Sequence, residues 1–269
     1  MANPQSRESS IGWVLKIWVA LVIILLLAPT LIVIPVSFGA SNSFVFPPDD
    51  WSLKWYAEFF SNRRWTSSLL NSLQIALLSA LLATALGIGA ALGLDRGRFR
   101  GKAVLRAGFM APQIVPSIVA AVSIYVAFFR LHLNGTIVGF VVAHTVIAIP
   151  FVIVCVTTSL AGFDRTVQTA SASLGAGPWT TFSRITFPLL LPGIASGFIF
   201  AFVTSFEEVV IAIFLQTPKL RTLPVQMYES ITLQIDPTIA AASSMIVVVT
   251  TGALLAWQLA PRRRKEVVR

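Results

Sequence analysis

Residues 136–160 read TIVGFVVAHTVIAIPFVIVCVTTSL, without a single Asp, Glu, Lys or Arg. A hydrocarbon core about 30 Å thick needs roughly 20 mostly apolar residues at about 1.5 Å of rise each, and this stretch supplies them. A helix apolar on every side offers no aqueous face, so its neighbours are lipid or other helices. Five more runs of the same kind surround it: 17–38, 69–94 and 105–129 before it, 189–215 and 239–259 after it. The reading is an all-α membrane protein with about six transmembrane helices. Composition agrees, because 56% of the 269 residues are hydrophobic and only 12% are charged, against roughly 25% in an ordinary soluble domain.

The first run exceeds the apolar core of a secretory signal, about 7–15 residues, and no A-x-A site follows it, so it reads as a retained helix. Pro29 and Pro35 are expected to bend or end that helix, because proline removes a backbone donor and clashes with the preceding turn. Between the second and third runs lie Arg96, Arg98, Arg100, Lys102 and Arg106, opposed only by Asp95. After the sixth come Arg262, Arg263, Arg264, Lys265 and Arg269. The segments after the first and fifth runs balance their charges: Lys54, Arg63 and Arg64 stand against Asp49, Asp50 and Glu58, and Lys219 and Arg221 against Glu229 and Asp236. Positive charge is retained on the cytoplasmic side, which places both termini there. The expected organisation is a cytoplasmic N-terminal segment at 1–16, a transmembrane domain at 17–260 and a basic cytoplasmic tail at 261–269.

The net charge of +9 does not read as a nucleic-acid interface, because the cations sit between and beside apolar runs rather than on a soluble face with interleaved aromatics. The single cysteine, Cys155, excludes an intrachain disulfide and reads as a buried, inert thiol. With only His132 and His144 beside it, no zinc-type cluster is expected. Gly89-x-x-x-Gly93, Gly135-x-x-x-Gly139 and Gly193-x-x-x-Gly197 let helix backbones approach closely, within the subunit in preference to across a dimer face. Gly97-Arg98-Phe99-Arg100-Gly101-Lys102 is one residue short of a phosphate loop and is followed by Ala103, so it reads as a basic loop and no nucleotide site is expected.

The segment between the fourth and fifth runs, 164–192, reads DRTVQTASASLGAGPWTTFSRITFPLLLP. Val167, Ala170, Leu174, Trp179, Phe182 and Ile185 are broken by Gly175, Gly177 and Pro178, which predicts two short helices joined by a turn, with an apolar face for something other than lipid. The stretch resembles the EAA loop of permease subunits of ATP-binding-cassette importers, a pattern of E-A-A, three residues, G, nine residues, I, one residue, L-P. Thr169-Ala170-Ser171 stands for E-A-A, Gly175 for the glycine, Ile185 for the isoleucine and Phe187-Pro188 for L-P. Thr169 replaces the acidic residue, so the contact made through that carboxylate is not carried over. The resemblance implies a MetI-like permease fold in which about 164–187 is a cytoplasmic coupling helix docked on an ATPase. Implied partners are a second, paralogous permease, two ATPase subunits and a periplasmic solute-binding protein, all at a bacterial cytoplasmic (inner) membrane. ATP and Mg would be bound by the ATPase, and no cofactor or metal by this chain.

Other segments are similar to the spermidine/putrescine permease subfamily: Phe46-Pro47-Pro48 with Ser52-Leu53-Lys54-Trp55-Tyr56 and Phe59-Phe60, Ala111-Pro112 with Pro116, the stretch from Ser205-Phe206-Glu207-Glu208 to Ala212, and Arg221-Thr222-Leu223-Pro224. That implies import of a polyamine or another small cationic nitrogen compound, with an amino-acid-derived or opine-like solute as the alternative. Ser117 stands where the subfamily often carries an acid, and Glu207-Glu208 replaces a pair that is usually aspartate, so a dication site is weakened or suits a single charge. An ionised carboxylate at a membrane helix centre costs about 2.5–3.5 kcal/mol, which argues against lipid exposure of Glu207 and Glu208. About 19 residues of helix from Pro188 place them about 28 Å from the cytoplasmic end, pointing about 100° apart. One is expected to face the solute path with Ser117, and the other to bond within the fold or to the partner permease; the alternative is that both only hold helices together or sit at the water interface. A secondary transporter is the rival from another class. No nucleophile, base and orienter can be assembled for an integral-membrane enzyme.

Overall fold

The computed structural model describes residues 5–162, 164, 166–233 and 236–259. The basic tail expected at 261–269, and residues 1–4 of the expected N-terminal segment, lie outside the described residues. In order, the first helices are α1 (Gln5–Ser37), α2 (Lys54–Ser61), α3 (Arg63–Arg96), α4 (Lys102–Ile114), α5 (Ser117–Arg130) and α6 (Ile137–Ala161). There follow α7 (Thr166–Ser173), α8 (Pro178–Thr181), a π-helical turn (Phe182–Thr186), α9 (Phe187–Phe206), α10 (Val210–Leu215), α11 (Leu223–Thr232) and α12 (Thr238–Leu259). The only β pairing among the described residues is an isolated bridge between Gly39 and Trp51. Four helical stretches are long and apolar enough to cross a membrane, five if α4 and α5 count as one bent span, and α12 carries a shorter apolar stretch, Thr238–Gly252.

All six apolar runs fall on helices, but two are not continuous. The run at 105–129 is divided into α4 and α5, bent by 104°. Pro116 disfavours helical backbone at the residue before it, and Val115 is extended (φ −68°, ψ 129°), so α4 stops at Ile114. The run at 189–215 breaks at 207–209, between α9 and α10. Glu207 and Glu208 therefore do not interrupt a continuous helix, and the 100° spacing expected of them does not apply. Pro29 and Pro35 both lie inside α1, which ends just beyond Pro35. Two segments expected as loops carry helices, α2 and α11.

The chain divides into two compact units. In the unit made of 1–63 and 229–269, α12 packs on α1 and α2. The Tyr56 hydroxyl links all three, 2.7 Å from Ser37 Oγ on α1 and donating to Ser244 Oγ on α12 at 3.2 Å. In the unit made of 64–228, α6 lies along α9, and Val152 and Val156 of α6 meet Leu190, Ile194 and Ala201 of α9 with Ala80, Ala83 and Ala91 of α3. Small residues set how close these backbones come, and dispersion rather than water exclusion drives the packing. A Cβ on Gly193 would meet Ser159 and the Cys155 carbonyl, and one on Gly197 would lie 3.1 Å from Val152 Cα. This pair packs within the chain, whereas Gly89 and Gly93 face open space. Cys155 is half-buried at the same seam rather than fully buried.

Candidate functional site

The two helix breaks open onto one cleft of about 410 Å³. Pro112, Gln113, Ser117 and Ala120 line it from the α4–α5 bend, Ile147 and Phe151 from α6, and Thr204, Glu208 and Ile211 from the α9–α10 break. Among the described residues, Glu208 is the only ionisable one that lines it. Backbone groups freed by a broken helix must find partners at membrane depth, since each bare one costs several kcal/mol. Glu208 meets part of that need itself, because Oε1 accepts the Ile211 N–H at 2.8 Å. Ser117 and Glu208, 91 residues apart in sequence, thus share one cleft. Glu207 is exposed and absent from the lining, and its own N–H continues the helical ladder to the Val203 carbonyl at 2.9 Å. Gln113 carries no motif of its own in the sequence; the signal for it is the proline pair, Pro112 and Pro116, between which it lies.

The second candidate region is α7, α8 and the π turn. α7 ends in a Schellman motif: the Ala176 N–H bonds the Ser171 carbonyl at 3.1 Å and the Gly175 N–H bonds the Ala172 carbonyl at 3.0 Å. Gly175 has φ +79°, a conformation glycine adopts without Cβ strain. At the other end the Asp164 carboxylate accepts the Thr166 N–H at 2.9 Å, and that backbone bond holds its pKa below the ordinary carboxylate value. α7 is fastened to α8 and to the π-helical turn that leads into α9. Ser171 Oγ lies 2.9 Å from Thr181 Oγ1, and Gln168 Nε2 donates to Thr186 Oγ1 at 3.0 Å.

Of the residues matching the EAA pattern, Thr169, Ala170, Gly175 and Pro188 are exposed, Ile185 is half-buried and Ser171 is buried. The most exposed apolar side chains of the segment are Leu174 and Trp179, 88% and 75% exposed. Trp179 leans on Phe182, with ring centroids 5.8 Å apart. An apolar surface on a short helical pair, tied by a side-chain hydrogen bond to the turn that starts a long helix, is suited to passing a push along that helix.

Residues 83–265 match the family described as binding-protein-dependent transport system inner membrane component. The chain belongs to that family. Among curated relatives, the putrescine transport system permease protein PotI of Escherichia coli (strain K12) is 34% identical over 128 residues, 47% of this chain and 46% of the relative. The spermidine/putrescine transport system permease protein PotC of the same strain is 30% identical over 140 residues, 52% and 53% of the two chains. The alignments span about half the length of these curated relatives. Among solved structures, a bacterial ABC transporter in complex with an alginate pentasaccharide-bound periplasmic protein superposes with a TM-score of 0.73 at 17% identity, covering 96% of this chain and 98% of that one. A bacterial ABC transporter involved in alginate import gives a TM-score of 0.71 at 14% identity, over 96% and 97%. At these identities the family member shares the fold with both.

Proposed function

We propose that this chain is the membrane-spanning permease subunit of an ATP-driven, binding-protein-dependent importer, and that the cleft at Glu208 is part of its solute path. The observation that carries the reading is that α9 joins the two regions: the turn that leads into it is bonded to α7, and its far end breaks at the acid that lines the cleft. Twenty helical residues make a strut about 30 Å long. An ATPase seated on Leu174 and Trp179 would move that strut as it closes on ATP and Mg, shifting Glu208 relative to Ser117 across the cleft. The partners are a second, paralogous permease, two ATPase subunits and a periplasmic solute-binding protein, in the bacterial inner membrane with both termini cytoplasmic.

The solute is a small cation bearing nitrogen. One carboxylate attracts an ammonium group, Gln113, Ser117 and Thr204 offer neutral hydrogen-bonding partners, and Ile147, Phe151 and Ile211 cover an alkyl chain. The polyamine permeases among the relatives support this chemistry. Because the described lining residues include one acid rather than two, a monocation, including an amino-acid-derived or opine-like solute, is the second reading.

The test is uptake by proteoliposomes holding the chain with its partner permease, ATPase and binding protein. Labelled putrescine or butylamine is expected to enter only when ATP is supplied to the ATPase side. Uptake that persists without the ATPase would overturn the reading in favour of a secondary transporter.

A further inference from the structure

α9 ends at Phe206, and the last carbonyls of a helix have no intrahelical partner. Glu207 N–H still reaches the Val203 carbonyl, but among the described residues no backbone N–H takes up the carbonyl of Ser205. A side chain from the neighbouring helix does. His144 of α6 is fully buried, with Nδ1 3.1 Å from the Ser205 carbonyl oxygen and 2.9 Å from Ser205 Oγ. Its Nε2 has no hydrogen-bond partner among the described residues.

These contacts favour one tautomer. With the proton on Nδ1, the ring donates to the orphaned carbonyl and leaves only an acceptor bare at Nε2. With the proton on Nε2, Nδ1 would accept from the Ser205 hydroxyl, but a buried donor would be bare at Nε2 and the Ser205 carbonyl would stay unmet. The imidazole thus replaces the intrahelical bond that α9 loses where it breaks. On α6, His144 shares a helix face with Ile147 and Phe151, which line the cleft. On α9, Ser205 directly follows Thr204, also in the lining, and Glu208 comes three residues later, past the end of the helix.

We propose that His144 is a positioning residue: donating from Nδ1 to Ser205, it caps the broken end of α9 from α6 and fixes the backbone from which Glu208 enters the cleft. The inference rests on reading that cleft as the solute path.

Two measurements on the full chain, assembled with its partners in lipid, test it. In hydrogen exchange, His144→Leu is expected to raise exchange across 205–211 and leave α7 and α8 unchanged. In uptake of putrescine, the same variant is expected to raise apparent KM about tenfold with little change in maximal rate, as for a misplaced charged partner. His144→Asn and His144→Gln decide the matter if His144→Leu fails to accumulate. The Asn amide lies near the Nδ1 position and the Gln amide near Nε2, so Asn should retain wild-type exchange and KM while Gln should not. Equal behaviour of Asn and Gln, or unaltered exchange in every variant, overturns the cap. If exchange follows the expected pattern while KM stays fixed, the positioning role is overturned; Glu208→Gln then shows where the failure lies. A raised KM in Glu208→Gln means the solute path stands and only the role of His144 falls, whereas an unchanged one means the solute-path reading itself has failed.

Discussion

The Glu208 carboxylate accepts the Ile211 N–H at 2.8 Å, so the one acid among the described residues of the cleft also supports the backbone where α10 begins. One carboxylate oxygen is committed to that bond, and under the proposed function the same carboxylate meets the solute. Substitutions that separate charge from hydrogen bonding therefore separate its two roles.

Glu208→Gln keeps a carbonyl oxygen for Ile211 and removes the charge. Uptake of putrescine or butylamine is expected to show an apparent KM raised about 10- to 100-fold, corresponding to about 1.5–3 kcal/mol for a hydrogen bond to a charged group. Glu208→Ala removes the backbone partner as well and is expected to lower the amount of assembled complex. Glu207→Gln, outside the cleft, is expected to stay within about twofold of wild type, inside the ordinary scatter of surface substitutions. Radiolabel uptake with quantified assembly measures all three, and an unchanged KM in Glu208→Gln would remove the acid from the solute path.

Gly175→Val should uncouple the complex. Valine in the left-handed region costs about 1–2 kcal/mol for its Cβ, and branching there adds to the strain, so the Schellman turn between α7 and α8 would re-form differently. ATP hydrolysis stimulated by the loaded binding protein is expected to fall severalfold with assembly intact. Gly175→Asn, which tolerates this backbone, should retain most of it. Equal stimulation in Gly175→Val and wild type would contradict a coupling role for this turn.

What the sequence disclosed and what it concealed follow from the range of each signal. The apolar run at 136–160 needs only its own residues to declare a helix, and the structure has α6 there. The Gly175 turn is equally local, since a glycine between two helix-forming stretches states its own backbone need. The break at 207–209 carries neither glycine nor proline, and continuous apolarity on both sides conceals it. Pro116 in the third run disfavours helix at Val115, but a proline alone does not state the 104° angle between α4 and α5. His144 and Ser205 are 61 residues apart, and no sequence pattern joins them. The contacts of His144 are the carbonyl and hydroxyl oxygens of Ser205, which the spacing of histidine and cysteine does not reveal.

Topology makes a separate prediction in a Cys155→Ala background. A cysteine placed by Ser41→Cys should react with a membrane-impermeant thiol reagent from outside the cell, and one placed by Gly97→Cys only after permeabilisation. The charge imbalance around Arg96, Arg98 and Arg100 motivates this orientation. Inverted labelling would put α7 and α8 outside and remove them from any ATPase.

Gly193 and Gly89 carry the same sequence motif and are expected to respond in opposite ways. A Cβ at Gly193 would meet not only Ser159 Oγ but also Ser159 Cβ at 2.7 Å and the Cys155 carbonyl at 2.9 Å, atoms held by the backbone of α6. No rotamer change relieves both contacts, so Gly193→Ala must separate α6 from α9. Overpacking of this kind costs about 1–3 kcal/mol. At Gly89 an added methyl meets nothing within 4 Å, and replacing a mid-helix glycine by alanine favours the helix by about 0.5–1 kcal/mol. Thermal unfolding of the purified chain in detergent should therefore show a lower midpoint for Gly193→Ala and an equal or higher one for Gly89→Ala. Measured again in the assembled transporter, Gly89→Ala also reports on its surroundings. Stability kept in the isolated chain but lost in the complex would mean that a partner helix approaches α3 at Gly89, whereas stability kept in both leaves that face to lipid.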